Sequence, residues 1–196
     1  MLLNIIHPYT FKLSGSTLKI GPVPEFRKRD KKVEQLARKV LSSGGKVIYY
    51  KYSDGNFVKE VMHESALHSD PIYQFLYGSV ETVTTTPYGI PIPDEKPAKI
   101  EVEAWKLMTE LYTRHSELRQ IIEGHENVVF IGGALEKCLA NAAIYFNQHY
   151  REPGQKLLYV PELCVSFNAD EKERAVEKLS RNNIELIKFT EVMSLN

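Results

Sequence analysis

A cysteine that follows two glycines is the residue in this sequence best placed for chemistry. Val128–Tyr145, VVFIGGALEKCLANAAIY, predicts a buried strand over residues 128–131, a turn at Gly132 and Gly133, and a helix that carries Cys138 near its start. The N–H groups and dipole at a helix start favour an anion, so we expect a stabilised thiolate there. Because most free cysteines are inert, the sequence also leaves open that this residue is simply small, apolar and buried.

Alternating strands and helices must position this cysteine. Short apolar or β-branched runs predict strands at Leu2–Ile6, Lys46–Tyr52, Thr82–Thr86, Lys99–Trp105, Gln155–Val160 and Ile184–Lys188. Helical periodicity predicts further helices from Asp30 to Leu41, over Ser116–Gly124, and from Asn168 or Asp170 to Ser180. We therefore predict a doubly wound, three-layer α/β/α domain with a mostly parallel, roughly six-stranded sheet, whose ligands bind at the carboxyl ends of the strands.

Two stretches of this predicted single domain, residues 1–196, are irregular. Phe11–Glu25 is rich in glycine and proline and predicts a surface loop. Residues 53–99 form the longest irregular insertion, and such segments are usually functional, for example as the rim or lid of a site. Asp54, His63 and His68 lie within it, but their spacing matches no metal-ligand template, so we predict no metal site.

Charge and composition exclude several classes of protein. Lysine plus arginine and aspartate plus glutamate number 25 each, so the chain lacks the electrostatic footprint of a nucleic-acid or anionic-membrane partner. The basic cluster Arg27–Lys32 is interpreted as a solvated face rather than a phosphate contact. Two distant cysteines do not make a secreted disulfide scaffold, and the start lacks the basic lead of a signal peptide. We expect a cytoplasmic protein.

The segment Gly132–Cys138, GGALEKC, resembles the G-x-A-x-[DE]-x-C turn of the isochorismatase-like cysteine hydrolases, the superfamily of nicotinamidases and related amidases. This motif is short and permissive, but further segments resemble family elements in the same order. They are the opening strand at Leu2–Phe11, the next helix and strand at Asp30–Tyr52, the lysine strand and following helix start at Lys106–Leu118, the strand at Tyr159–Ser166, and the closing helix and strand at Arg174–Ile187.

The resemblance implies a mechanism and a set of site residues. Cys138 matches the nucleophile, and Lys106 matches the lysine that holds the charges, although a strand-end lysine in solvent is an equally good interpretation of it. Backbone N–H groups of the turn at Gly133, Ala134 and Cys138 match the oxyanion hole, and the bond between the first two matches a cis peptide in the family. No cofactor is implied, and relatives are often dimers or tetramers, so we expect a homo-oligomer.

The most serious departure from the family pattern is at the end of the first strand. Ile6 stands where the family has its proton-shuttling aspartate, and an isoleucine cannot accept a proton. His7 is a candidate substitute, although alternation along a strand points it to the opposite face. Two hypotheses remain: a cysteine hydrolase acting on the C–N or ester bond of a small molecule, or an inactive isochorismatase-like fold that binds small molecules or proteins. A nucleotide-binding Rossmann domain is less favoured, because no third glycine follows the pair.

Overall fold

The computed structural model describes residues 1–6, 11–14, 17–20, 27–52, 81–85, 116–166 and 169–195. The predicted strand Lys99–Trp105 lies outside these residues. So do His7, Lys106 and the three residues weighed as metal ligands, Asp54, His63 and His68.

The described elements alternate as the sequence predicts. The strands are β1 (Leu2–Ile6), β2 (Phe11–Ser14), β3 (Thr17–Ile20), β4 (Lys46–Tyr52), β5 (Glu81–Thr85), β6 (Asn127–Gly133), β7 (Lys156–Val165) and β8 (Ile184–Leu186). The helices are α1 (Arg27–Ser42), α2 (Ser116–Ile122), α3 (Ala140–His149), α4 (Ala169–Arg181) and α5 (Phe189–Val192), and a π-helical turn, Leu135–Leu139, leads directly into α3.

Six strands form one parallel sheet in the order β5-β4-β1-β6-β7-β8, while β2 and β3 pair as a separate antiparallel hairpin. This confirms the predicted fold class. From β1 the chain moves to one side of the sheet through β4 and β5, and from β6 it moves to the other side through β7 and β8. The topological switch point, where doubly wound sheets bind their ligands, therefore lies between β1 and β6.

Apolar side chains on both faces of the sheet hold the three layers together. Along β1, Leu3 and Ile5 join the core beneath α1 and α5, here called the α1 face. Leu2 and Ile6 point the other way, into the core beneath the π turn, α3 and α4, here called the α3 face. A strand buried on both faces needs a largely apolar run, which is why β1 and β6 are mostly hydrophobic. The polar exception at the centre of β1, Asn4, accepts a hydrogen bond from the Tyr50 hydroxyl at 2.9 Å.

Two predicted boundaries were wrong. The segment Phe11–Glu25 is not all loop, because β2 and β3 form a hairpin within it. The strand predicted to end at Val160 continues to Val165. Its pairing with β6 shifts register on the way, and a proline such as Pro161 is tolerated in such a bulge because no ladder donor is needed from it.

Candidate functional site

A glycine turn, Gly132–Ala134, ends β6 at the switch point and is enclosed by its neighbours. Gly132 pairs with Ile6 of β1 on one side and with Cys164 of β7 on the other. Its φ is +111°, and a Cβ at this residue would lie 1.9 Å from the carbonyl oxygen of Ile6. Only glycine fits such a close backbone approach, so the turn is held tightly between the two neighbouring strands.

The chain then enters the helical segment that carries the candidate nucleophile. The bond between Gly133 and Ala134 is cis, as the resemblance implied. The N–H of Leu139 donates to the carbonyl of Ala134 at 3.1 Å, one residue further along than in an α-helix. Sequence reasoning predicted an ordinary helix here and missed the π turn, since its apolar spacing is that of an α-helix. Such turns recur at functional sites.

Cys138 lies in the π turn and is only 6% exposed. It belongs to the apolar core of the α3 face together with Ile6, Leu135 and Leu139. We expected a stabilised thiolate, whereas this degree of burial in an apolar core favours the alternative interpretation of a small buried residue. Of the predicted site, the structure brings together Gly133, Ala134 and Cys138.

Ile6 occupies the position that the resemblance assigns to the catalytic acid. It ends β1 beside the glycine turn, is fully buried, and lies in the same core as Cys138. The residue at this position therefore lies in the same core as Cys138, and its aliphatic side chain cannot carry a proton.

Cys164 is a second thiol at this edge, and sequence reasoning gave it no role. Its Sγ–H donates to the carbonyl of Val160 at 3.1 Å, and the residue itself pairs with Gly132 across the sheet. Burial raises the pKa of the Cys164 thiol to about 12, while the Gly132 backbone and the nearby Arg29 oppose the rise. Neither cysteine forms a disulfide. The only signal in the sequence was a cysteine four residues after the predicted strand end at Val160.

The predicted solvated face of Arg27–Lys32 needs one correction. Lys28 and Lys31 are exposed, but Arg29 is only 7% exposed. Its Nε and Nη2 donate to the same oxygen of Asp30, at 2.9 and 2.6 Å, and this pairing offsets the cost of burying the charge.

A small cleft of about 160 Å³ lies at the opposite edge of the sheet, where the strands begin. Its polar groups already bind one another. Arg119 donates to the carbonyl of His149 at 3.3 Å and lies over the ring of Tyr150, 5.5 Å from its centre. Glu152 accepts from the backbone N–H of Gly124 at 3.2 Å. We interpret this cleft as a structural junction between loops.

No protein-family model and no curated protein matches the sequence. Several solved structures share the fold. A pyrazinamidase/nicotinamidase from Streptococcus mutans is 13% identical, with a TM-score of 0.59 over 95% of this chain and 100% of that one. An isochorismatase family protein from Desulfovibrio vulgaris is 15% identical, with a TM-score of 0.58 over 96% and 94%. The YcaC gene product of Escherichia coli, described as an octameric hydrolase of unknown specificity, is 11% identical, with a TM-score of 0.55 over 98% and 76%.

These likenesses confirm the isochorismatase-like fold that the sequence predicted, with neighbours that are hydrolases. At 11–15% identity they carry the architecture alone. Within the part of the chain that the structure describes, none of the helices has the length and apolar character needed to cross a bilayer.

Proposed function

We propose that this chain is a cysteine hydrolase of the isochorismatase-like superfamily, which cleaves the C–N or ester bond of a small molecule with Cys138 as nucleophile. The observation that carries the proposal is the path from β6 through the glycine turn into the π turn. It brings Cys138 and the start of a helix to the switch point of a doubly wound sheet, where ligands bind.

In the proposed reaction the Cys138 thiolate attacks the carbonyl carbon, and the carbonyl electron pair moves onto oxygen. Backbone N–H groups at Gly133, Ala134 and Cys138 stabilise that oxyanion. Collapse expels the amine or alcohol, which takes up a proton, and water then hydrolyses the thioester to regenerate the thiol. We assign the base to His7 and the supporting cation to Lys106, both as predictions from the sequence.

Alkylation with iodoacetamide below neutral pH tests the nucleophile. A stabilised thiolate at Cys138 should react faster than glutathione at the same pH, because the thiolate is the reactive form. The Cys138→Ala variant is the control, since it retains Cys164 and should lose the rapid labelling. A wild-type Cys138 that labels no faster than glutathione would refute the proposal.

The complete burial of Ile6 favours a second candidate, a catalytically inactive relative that binds a small molecule or a protein. This candidate predicts no turnover with any amide or ester panel. It also predicts that Ile6→Asp, which returns a carboxylate to the α3 face, creates hydrolysis that Cys138→Ala removes. Wild-type turnover that is abolished by Cys138→Ala would exclude the inactive candidate.

We further propose a homo-oligomer, a dimer or tetramer, in keeping with the octameric state described for YcaC. Light scattering coupled to size exclusion measures the mass in solution. A monomer across the micromolar range would contradict this part of the proposal.

A further inference from the structure

We propose that Cys164 is a positioning residue for the glycine turn. Its thiol donates to the Val160 carbonyl and closes the β7 bulge against which Gly132 pairs, and this bridge fixes the backbone from which Cys138 is presented. The catalytic consequence rests on the proposed function, whereas the effect on the turn does not.

The pairing of β6 with β7 shows why a side chain is needed at this point. Phe130 pairs with Tyr159, and Gly132 pairs with Cys164, so a single β6 residue faces the four residues 160–163 of β7. The regular ladder is interrupted across this bulge. The Cys164 Sγ–H donates to the Val160 carbonyl at 3.1 Å, so the thiol spans the bulged segment just before the residue that pairs with Gly132.

A protonated thiol suits this bridge because it can donate to the Val160 carbonyl, whereas a thiolate could not. Burial holds the pKa of Cys164 at about 12, so the thiol stays protonated at neutral pH. Val160 is fully buried, so removing the thiol leaves its carbonyl without this donor, and water does not readily replace it.

The bridge acts on a turn whose backbone is closely enclosed. On the β1 side, Gly132 lies against the carbonyl of Ile6. On the β7 side, a Cβ at Gly133 would lie 2.9 Å from the Cβ of Val165. The thiol completes the β7 side of this enclosure. A displacement of Gly132 passes along the backbone through Ala134 into the π turn of Cys138.

Three variants test the bridge. Cys164→Ser keeps a donor and an acceptor, Cys164→Val keeps volume without either, and Val129→Ala is the control, a buried β6 residue on the α1 face. Hydrogen exchange by mass spectrometry follows the peptide spanning Gly132–Ala134 relative to a peptide from β1. We expect Cys164→Val to raise the relative exchange about fivefold, and Cys164→Ser to stay near wild type. Equal relative exchange in Cys164→Val and Val129→Ala would overturn the proposal.

The rate of Cys138 alkylation against pH provides the second readout. We expect Cys164→Val to slow the alkylation of Cys138 and to shift its pH profile toward higher pH. Cys164→Ser should keep the wild-type rate and profile. A loss of global stability alone would not produce this difference between the two variants. A turn that loosens while Cys138 is inert in every protein supports the bridge and refutes the hydrolase. If Cys138 is reactive, but Cys164→Val changes neither its pH profile nor the hydrogen exchange of the turn, the bridge is refuted and the hydrolase proposal is not.

Discussion

The two edges of the parallel sheet differ in how their polar groups are used. At the amino edge, where the strands begin, side chains such as Arg119, Arg151 and Glu152 line an open cleft. At the carboxyl edge, the described residues present a tight glycine turn and two thiols, with Ile6 beside them. Among the described residues, the cleft at the amino edge has several charged side chains, yet this edge is the weaker candidate for a site. Position in the sheet topology is a better guide to a site than the density of polar side chains.

The hydrogen bonds of the amino edge explain this difference. Gln155 is 3% exposed, and its Oε1 accepts from the N–H of Glu152 at 2.9 Å. Arg151 donates through Nε and Nη2 to the Gln155 carbonyl at 3.2 and 3.0 Å, and through Nη1 to Asn147 at 3.0 Å. These side chains form hydrogen bonds with backbone and side-chain groups of the loop before β7. Their role is therefore to stabilise this loop rather than to bind a ligand.

The largest contrast between the edges should appear on adding a single methyl group. Gly132→Ala brings a Cβ to 1.9 Å from backbone at a φ of +111°, and we expect it to cost about 3 kcal/mol or more, or to prevent folding. Gly154→Ala at the amino edge also has a positive φ, +87°, but nothing lies within 4 Å, so we expect about 1 kcal/mol. Urea unfolding followed by circular dichroism measures both, and similar losses would contradict the contrast.

The next contrast separates the two thiols of the carboxyl edge. With its pKa near 12, Cys164 holds about a thousandfold less thiolate at about pH 8 than an ordinary cysteine. We expect it to alkylate slower than glutathione by about that factor in the native protein, and normally in denaturant. Peptide mass spectrometry after iodoacetamide labelling gives the rate. Native labelling at the rate of glutathione would show that the thiol is not sheltered.

A smaller effect tests whether the amino edge is purely structural. Arg151→Ala removes the bonds to Gln155 and Asn147, and we expect it to lower the free energy of unfolding by about 1–2 kcal/mol. The alkylation rate of Cys138 should not change. Arg181→Ala is the matched control, since it breaks an exposed pair with Glu177 and should cost under about 0.5 kcal/mol. A changed Cys138 rate in Arg151→Ala would connect the two edges.

The smallest predicted effect is a pH dependence of the amino edge. Burial, with a contribution from Arg119, lowers the pKa of His149 below its usual value. The unfolded chain therefore takes up the proton first, and this contribution to stability is complete above the unfolded value and declines as the pH falls below it. We expect His149→Gln to reduce the loss of stability between about pH 7 and about pH 5. An unchanged or steeper loss would reverse the assigned sign.

Local signals in the sequence defined much of the fold. The bounds of β4 were predicted as observed, because a β-branched and aromatic run follows the glycines that end α1. The left-handed backbone of Asn183, with a φ of 54°, follows from the two asparagines after α4. The hairpin of β2 and β3 also had a signal, two alternating segments separated by Gly15 and Ser16, which the surrounding glycines and prolines obscured.

Features set by tertiary packing were not predicted. Arg29 belongs to a basic cluster that is typical of a solvated surface, and only packing at the start of α1 buries it. Pro161 is typical of a strand end, yet the β7 bulge accommodates it. The pattern of strand, glycines and helix pointed to the turn and Cys138, and a family resemblance supported it, but the sequence left the burial of the sulfur open and gave no sign of the Cys164 bridge. His7 and Lys106 stay predictions.

The contact between Gly132 and residue 6 has a consequence for substitutions at the end of β1. The three nearest atoms that a Cβ at Gly132 would meet all belong to the backbone of Ile6. This close approach therefore does not depend on which side chain ends β1. A change of side chain at residue 6 leaves the backbone contact in place, and its cost arises in the apolar core of the α3 face instead.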